Sequence, residues 1–387
     1  MNILIITYSR EVNPGTFLQA YGVQHIMKQL FPEATIELLK HKRLYNLLGS
    51  KEKDVLKTKK DFTFFKSKIT AIPRRLKYEW GYKHLFKLTC EEFDLFNYDS
   101  LSFKKFAEKY DLIVVGSDTI LIDFEKNGRI GLMWLKDIKT KKILFAASAA
   151  PGKFIEKLTT EQLTTLKKEM DNFTLLGVRD SLTLNFFSQD LALNEKSYLQ
   201  YDPTYLIPSE KFSLPYRIKR KLAKIKQKKK IALVNFGANF THKKLLTQEL
   251  KKLGYYIIST LYNPYADKNL MTLSPFEWAA IFPIIDLTVT ERFHDSVFTL
   301  RNCKPVIAID WASKRVNDHG FSKTSDLLHI YGLDDYHFDF THNKVNIESV
   351  LKTIQQSNNI SQQIRDMNLN ITTQYSNILS TIKEKIQ

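Results

Sequence analysis

Short apolar runs alternate with helix-forming segments in two successive series along this chain, and that alternation restricts it to a parallel α/β architecture. Residues 2–8, 35–39, 111–116, 142–147, 175–178 and 197–201 form the first series, and residues 231–236, 255–261, 285–290 and 305–309 the second. Near-continuous apolar runs suit strands buried on both faces, with the intervening helices covering the sheet. Helices are expected at 16–31, where Phe17, Tyr21, Gln24, Met27 and Leu30 recur at helical spacing behind an Asn-Pro-Gly turn, and at 159–172, opened by Thr-Thr-Glu. In the second series they are expected at 242–253, 275–282 and 295–301.

From residue 211 to 230 the apolar pattern stops and charge takes over, which marks a domain boundary. The expected organisation is an N-terminal domain over 1–215 with a basic helical insertion at about 40–105, a C-terminal domain over 216–345, and a helical segment over 346–387. Ile347, Val350, Leu351 and Ile354 share one face of that last segment and would pack back across the domains.

A chain of 387 residues, 43% of them hydrophobic, can fill two cores without metals or disulfides. Cys90 and Cys303 are its only cysteines and lack CxxC spacing, which excludes a zinc knuckle, a redox pair or a disulfide framework and suits a reducing cytoplasm. The start, MNILIITYSR, has no basic segment ahead of its apolar residues and reads as a first strand, not a signal peptide. No stretch reaches the ~18 apolar residues of a membrane span. The net charge of +17 is concentrated in part in KRKLAKIKQKKK at 219–230, which holds eight Lys or Arg and no acid. A solvated face or linker accounts for it first and contact with an anionic membrane surface second. Nucleic acid is disfavoured, because no zinc-finger, KH or RRM signature accompanies the charge and Lys greatly outnumbers Arg.

Residues 284–310, IIDLTVTERFHDSVFTLRNCKPVIAID, read as strand, polar turn, helix and strand. In a parallel sheet, ligands sit beyond the strands' carboxyl ends, where a following helix aims free N–H groups at an anion. Arg292 and His294 on that turn make an anion grip, and Lys314 and Arg315 follow the next strand. Other candidates end other strands. Asn13, Gly15 and Gln19 lie at the first strand-to-helix passage, where a turn and a helix cap would serve equally. Gly116, Ser117 and Asp118 offer a close backbone approach, a hydroxyl and a carboxylate, or simply another cap. Ser148 lies in a small-residue turn that either admits a ligand or packs tightly. Arg179-Asp180 is an anion ligand with its own acid or a surface ion pair, and Asp202-Pro203-Thr204 reads as a structural turn. Neither GxGxxG nor GxxxxGK[ST] occurs, which excludes a dinucleotide fingerprint and a P-loop.

Taken in order, NPGTFLQAYGVQ, VVGSD, AASAAPG, VRD, DPTYLIP and ERFHDSVF with CKPVIAI resemble the polysaccharide pyruvyl transferase family over nearly the whole chain. The resemblance implies two Rossmann-like domains facing across a cleft, similar to the GT-B glycosyltransferases. It also implies transfer of a pyruvyl group from phosphoenolpyruvate to two hydroxyls of a sugar, forming a cyclic ketal on a cell-surface polysaccharide or its lipid-linked precursor. Phosphoenolpyruvate is then a co-substrate, and no metal or resident cofactor is required. The roles so implied are phosphoenolpyruvate binding by Arg292, His294, Arg179 and Lys314, acid chemistry at His294 and orientation or deprotonation of the acceptor at Asp118. Asn13, Gly15, Gln19, Gly116, Ser117 and Ser148 complete the acceptor side. The implied location is the cytoplasm, peripheral to the inner face of the membrane.

Two departures qualify the match. Many members continue GSD with Gln and then Trp, whereas Thr119-Ile120-Leu121 stands here, without the aromatic platform on which sugars stack. Where the family often has a small residue after RFH, this chain has Asp295, which would repel a phosphate unless turned away or paired with Arg292. A nucleotide-sugar glycosyltransferase of GT-B type and a non-catalytic relative that binds an anion remain the alternative functions.

Overall fold

The computed structural model describes residues 1–41, 72–121, 123–341, 345–356 and 360–386. The chain divides into two compact units. Tyr78–Ile207 forms the first together with the N-terminal residues from Met1 and the C-terminal Ile371–Gln387, and Pro208–Asn370 forms the bulk of the second.

The first unit is built on a parallel sheet of seven strands: β1 (Asn2–Ile6), β2 (Thr35–His41), β3 (Leu88–Phe93), β4 (Leu112–Val115), β7 (Lys142–Ala147), β8 (Leu175–Val178) and β9 (Ser197–Leu199), ordered β3-β2-β1-β4-β7-β8-β9. The short strands β5 (Glu125–Lys126) and β6 (Arg129–Ile130) pair as an antiparallel hairpin outside it. Ile3–Ile6 and Leu112–Val115 are wholly buried, as the unbroken apolar runs require of central parallel strands. Phe103, Phe106, Trp134, Phe173, Phe186 and Phe187 pack in the core built around those strands.

The second unit has six strands, β10 (Ile231–Asn235), β11 (Tyr256–Ser259), β12 (Lys268–Asn269), β13 (Leu287–Thr290), β14 (Val306–Asp310) and β15 (His337–Asp339), ordered β12-β11-β10-β13-β14-β15 and all parallel. Both sheets therefore carry the Rossmann pattern, in which the first strand of the unit sits between the second and the fourth. Ile347, Val350 and Ile354, with Leu351 against them, pack onto β10, β13 and β14 in the second core.

Local chemistry fixes the helix starts. Asn13 caps the helix Pro14–Leu30 by accepting the Gly15 amide, with Pro14 at the first helical position. Thr159 with Gln162, and Ser274 with Glu277, form capping boxes for the helices Thr160–Asp171 and Pro275–Ala279.

Two expectations change. The basic insertion expected to be helical at 40–105 lies outside the described residues from 42 to 71, and its remainder holds a strand, β3 at the sheet edge, as well as the helices Ile72–Leu85 and Ser100–Ala107. LTCEEF in β3 buries only Thr89, so its polar residues concealed a strand. The charged stretch read as a boundary is also structured. Tyr216–Lys226 is a helix with Ile218, Leu222 and Ile225 on its inner side, and the division of the units falls earlier, between Ile207 and Pro208. Among the described residues, no helix is long and apolar enough to cross a membrane.

Two glycines are fixed by contact. Gly116 has φ 134°, and a Cβ on it would lie 2.0 Å from the Phe145 carbonyl oxygen. In β8, a Cβ on Gly177 would lie 2.0 Å from Gln200 Oε1, which accepts the Ala146 amide at 3.1 Å. Gly116→Ala is expected to destabilise the protein by at least about 2 kcal/mol, since backbone must move and φ is unfavourable for any side chain. Urea unfolding of the variant against the parent measures this.

Candidate functional site

In the first unit the predicted residues collect beyond the carboxyl ends of β1, β4, β7 and β8. Asp118, 7% exposed, has φ 119°, a backbone conformation rare outside glycine. Its Oδ2 accepts the Thr16 hydroxyl at 2.7 Å and its Oδ1 the Thr119 amide at 2.7 Å, while its carbonyl accepts the Ser148 amide at 3.0 Å. Ser117, fully buried, accepts the Thr7 hydroxyl on its carbonyl at 2.6 Å. The loops after β1, β4 and β7 are thus tied together at this residue, the first by its carboxylate and the last by its carbonyl. Burial, with Asp118, Glu11 and Asp123 nearby, holds the Tyr8 phenol well above its usual range and keeps it protonated beside them.

Asp202 is the second centre, one that the sequence alone presented as a mere turn. Its Oδ2 accepts Gln19 Nε2 at 2.6 Å and Arg179 Nη1 at 3.0 Å, and its Oδ1 accepts the Thr204 amide and hydroxyl at 3.0 and 2.6 Å. Arg179 Nη2 reaches Thr119 Oγ1 at 3.4 Å. The pair Arg179–Asp202 is almost wholly buried, which makes loss of either partner costly. Asp180 does not serve its neighbour as expected. It caps the short helix Ser181–Asn185, and Thr183 carries the link on by accepting the Ala149 amide beside Ser148. Ser148 is fully buried and its hydroxyl accepts the Ala150 amide at 3.2 Å. Asn13 and Gly15 occupy the cap of the helix that carries Thr16 and Gln19 on its buried side.

In the second unit, Arg292 stands at the N-cap of the helix Phe293–Arg301, directly after β13, and His294, 7% exposed, lies in that helix's first turn. Asp295 is turned inward and fully buried. Its Oδ2 accepts the Thr290 hydroxyl at 2.7 Å and Asn235 Nδ2 at 2.9 Å, and Thr290 Oγ1 in turn accepts the Arg292 amide at 3.0 Å. Asn235 closes the network from β10, receiving Ser259 and the Thr260 amide on Oδ1. The Asp295 carboxylate therefore belongs to the floor of the turn. Burial, the largest influence, raises the Asp295 carboxyl above its ordinary range, opposed by Arg292, Asn235, Thr290 and His294.

Glu291, unremarked in the sequence, clamps the other side of the turn. It accepts the Gly237 amide at 3.1 Å, the Trp311 indole N–H and Arg315 Nη2 at 3.2 Å, while Arg315 Nη1 donates to its carbonyl at 2.5 Å. Arg315, not the exposed Lys314, is the residue that reaches this turn. Lys243, 5% exposed, has its ammonium lowered by burial, with Glu291 opposing the shift. A carboxylate between positive groups was not legible because Gly237, Glu291, Trp311 and Arg315 come from three separate loops.

Two Rossmann-like units with parallel sheets match solved structures of GT-B fold over nearly the whole chain. UDP-GlcNAc 2-epimerase from Neisseria meningitidis bound to UDP-GlcNAc aligns at TM-score 0.53 and 11% identity, over 95% of this chain and 94% of its own. Anabaena HepE in complex with UDP aligns at 0.54 and 12%, over 98% and 100%. Arabidopsis thaliana UGT89C1 complexed with UDP aligns at 0.54 and 10%, over 100% and 99%. No curated protein matches in sequence. The sequence model of polysaccharide pyruvyl transferase matches residues 13–313, and the chain belongs to that family of transferases.

Asp295→Asn tests the floor of the turn. A folded-state carboxyl raised above its unfolded value contributes stability that is complete below the unfolded pKa and lost as pH rises through the folded one. The stability difference between parent and variant is therefore expected to move in the parent's favour as pH falls from neutral towards 4, the ordinary carboxylate range. Urea unfolding of both proteins across that interval gives the sign.

Proposed function

We propose that this protein transfers the pyruvyl group of phosphoenolpyruvate to two hydroxyls of a sugar, on a cell-surface polysaccharide or its lipid-linked precursor, with release of inorganic phosphate. The observation that carries this reading is the turn Glu291–His294 at the end of β13, in a chain of this family. It places an arginine, a buried histidine and a helix N-terminus together where the sheet's strand order reverses.

The chemistry needs an acid, a base and an anion grip. A proton adds to the C3 methylene of phosphoenolpyruvate, leaving an oxygen-stabilised cation at C2. A sugar oxygen bonds to C2 and its proton passes to a base. The C2–O bond to phosphate then breaks, phosphate departing with the electron pair, and the second hydroxyl bonds to C2 with loss of its proton. Of the two hydroxyl protons, one balances the new methyl group and the other leaves with phosphate.

In this assignment Arg292 and His294 bind the phosphate, His294 supplies the acid, and Arg179 is a further cation for the donor. Asp118, with its carboxylate set by Thr16 and Thr119, orients or deprotonates the acceptor hydroxyl. Asn13, Gly15, Gln19, Gly116, Ser117 and Ser148 shape the acceptor side around it. The absence of an aromatic residue at 119–121 supports an acceptor held by polar contacts more than by stacking on that loop.

His294→Ala and Arg292→Ala are each expected to lower phosphate release from phosphoenolpyruvate by about 100-fold or more while leaving the melting temperature near that of the parent. Parent-like turnover in both variants would overturn the assignment. Thermal shifts with phosphoenolpyruvate and with UDP-sugars separate it from the glycosyltransferase alternative, for which a shift with UDP-sugar alone is the signature.

A further inference from the structure

The second unit carries a surface that the proposed chemistry does not use. From Lys211 to Gln248 the chain has no acidic residue, and within Tyr216–Lys230 it has nine Lys or Arg. The helix Tyr216–Lys226 buries Leu222 and half-buries Ile218 and Ile225, so its apolar side is already occupied by the protein. All nine cations face outward. Lys226 meets Asp286 at 3.3 Å, and among the described residues no acid pairs with the other eight. Arg220, Lys224 and Lys228 line a shallow depression of about 880 Å³ with Tyr216 and Tyr256, and Tyr216 is 73% exposed.

This arrangement works against the helix that bears it. Arg217 with Lys221 and Arg220 with Lys224 are like charges one turn apart, which repel. Arg217 and Lys219 lie near the positive end of the helix dipole, where the first turn holds no acid. A polyanion lying along the outer face relieves both costs at once.

The chemistry of the strip identifies the polyanion. Lysines, seven of the nine, are hydrated point charges suited to a diffuse negative surface, not to bidentate reading of bases. The exposed tyrosine at the helix start has the apolar body and polar tip that settle among lipid headgroups. The depression is shallow and has a convex helix for one wall, unlike a groove that tracks a nucleic-acid strand with stacking rings.

We propose that the outer face of Tyr216–Lys230 docks the protein on an anionic lipid bilayer. This goes beyond the pyruvyl-transfer reading and rests on it only for its use, which is to hold the enzyme where a lipid-linked sugar is found. The binding itself is electrostatic and shallow. It is confined to within a Debye length of the surface and is weakened by salt.

The test uses the full chain, without phosphoenolpyruvate, and co-sedimentation with vesicles of phosphatidylcholine alone or mixed with phosphatidylglycerol. Binding to the mixed vesicles at low salt is expected, with release at high salt and none on phosphatidylcholine. The charge-reversed variant carrying Arg220→Glu, Lys221→Glu, Lys224→Glu and Lys228→Glu, and a milder one with Gln at the same positions, are expected to bind at least about tenfold more weakly. Phosphate release with a soluble acceptor should be unchanged in both, which separates failure of docking from failure of the catalytic assignment. No binding of the parent to anionic vesicles at low salt overturns the proposal. So does parent-like binding by both folded variants.

Discussion

The reversal of strand order at the centre of each sheet is the constraint on which the candidate site depends. In both units the first strand lies between the second and the fourth, so the connections on its two sides leave in opposite directions and open a crevice at the strand ends. Asp118 and the helix bearing Thr16 and Gln19 flank that point between β1 and β4. Arg292, His294 and Asn235 flank the corresponding point between β10 and β13. The side chains gathered there are polar, and it is the buried strands beneath them that keep the loops in place.

Two buried aspartates hold these loops by different physics. Asp202 has a full cation beside it, and the pair is nearly inaccessible to water, so its attraction to Arg179 is little screened and removal of one partner strands a charge. Asp295 is met on Oδ2 by neutral donors, Asn235 and Thr290, and burial drives it towards its protonated form. The first arrangement fixes an arginine; the second fixes a backbone turn. A carboxylate this close to Arg292 and His294 is accommodated because it faces the sheet and is held there by Asn235 and Thr290.

The sequence showed most of the framework. Central strands were readable since residues buried on both faces leave unbroken apolar runs, and helix starts were readable since Asn13-Pro14 and Thr159 with Gln162 act within a few residues. Edge strands were not: Lys268–Asn269 and His337–Asp339 are short, and β3 is largely polar because its outer side needs no apolar cover. The helix Tyr216–Lys226 was concealed by its own charge, although Ile218, Leu222 and Ile225 keep helical spacing. Within the site, the strand-end position of Asp118, Arg179 and His294 was legible, but their partners were not. Gln19 and Asp202 stand 183 residues apart and Asn235 and Asp295 stand 60 apart, and no local rule relates residues that only the folded sheet brings together. Local signals place loops; long-range contacts decide which way each carboxylate turns.

The close approach at Gly177 has a consequence for how this sequence can change. The oxygen of Gln200 occupies the volume where a side chain on residue 177 would begin, and that same oxygen holds the amide of Ala146 at the end of β7. The two positions therefore share one small space and cannot drift independently. A larger residue at 177 is admissible only with a shorter one at 200, and that exchange would release the strand end leading to Ser148. In evolutionary terms, a differently shaped loop around Ser148 is reached through a paired substitution on the neighbouring strand β8 and just past β9.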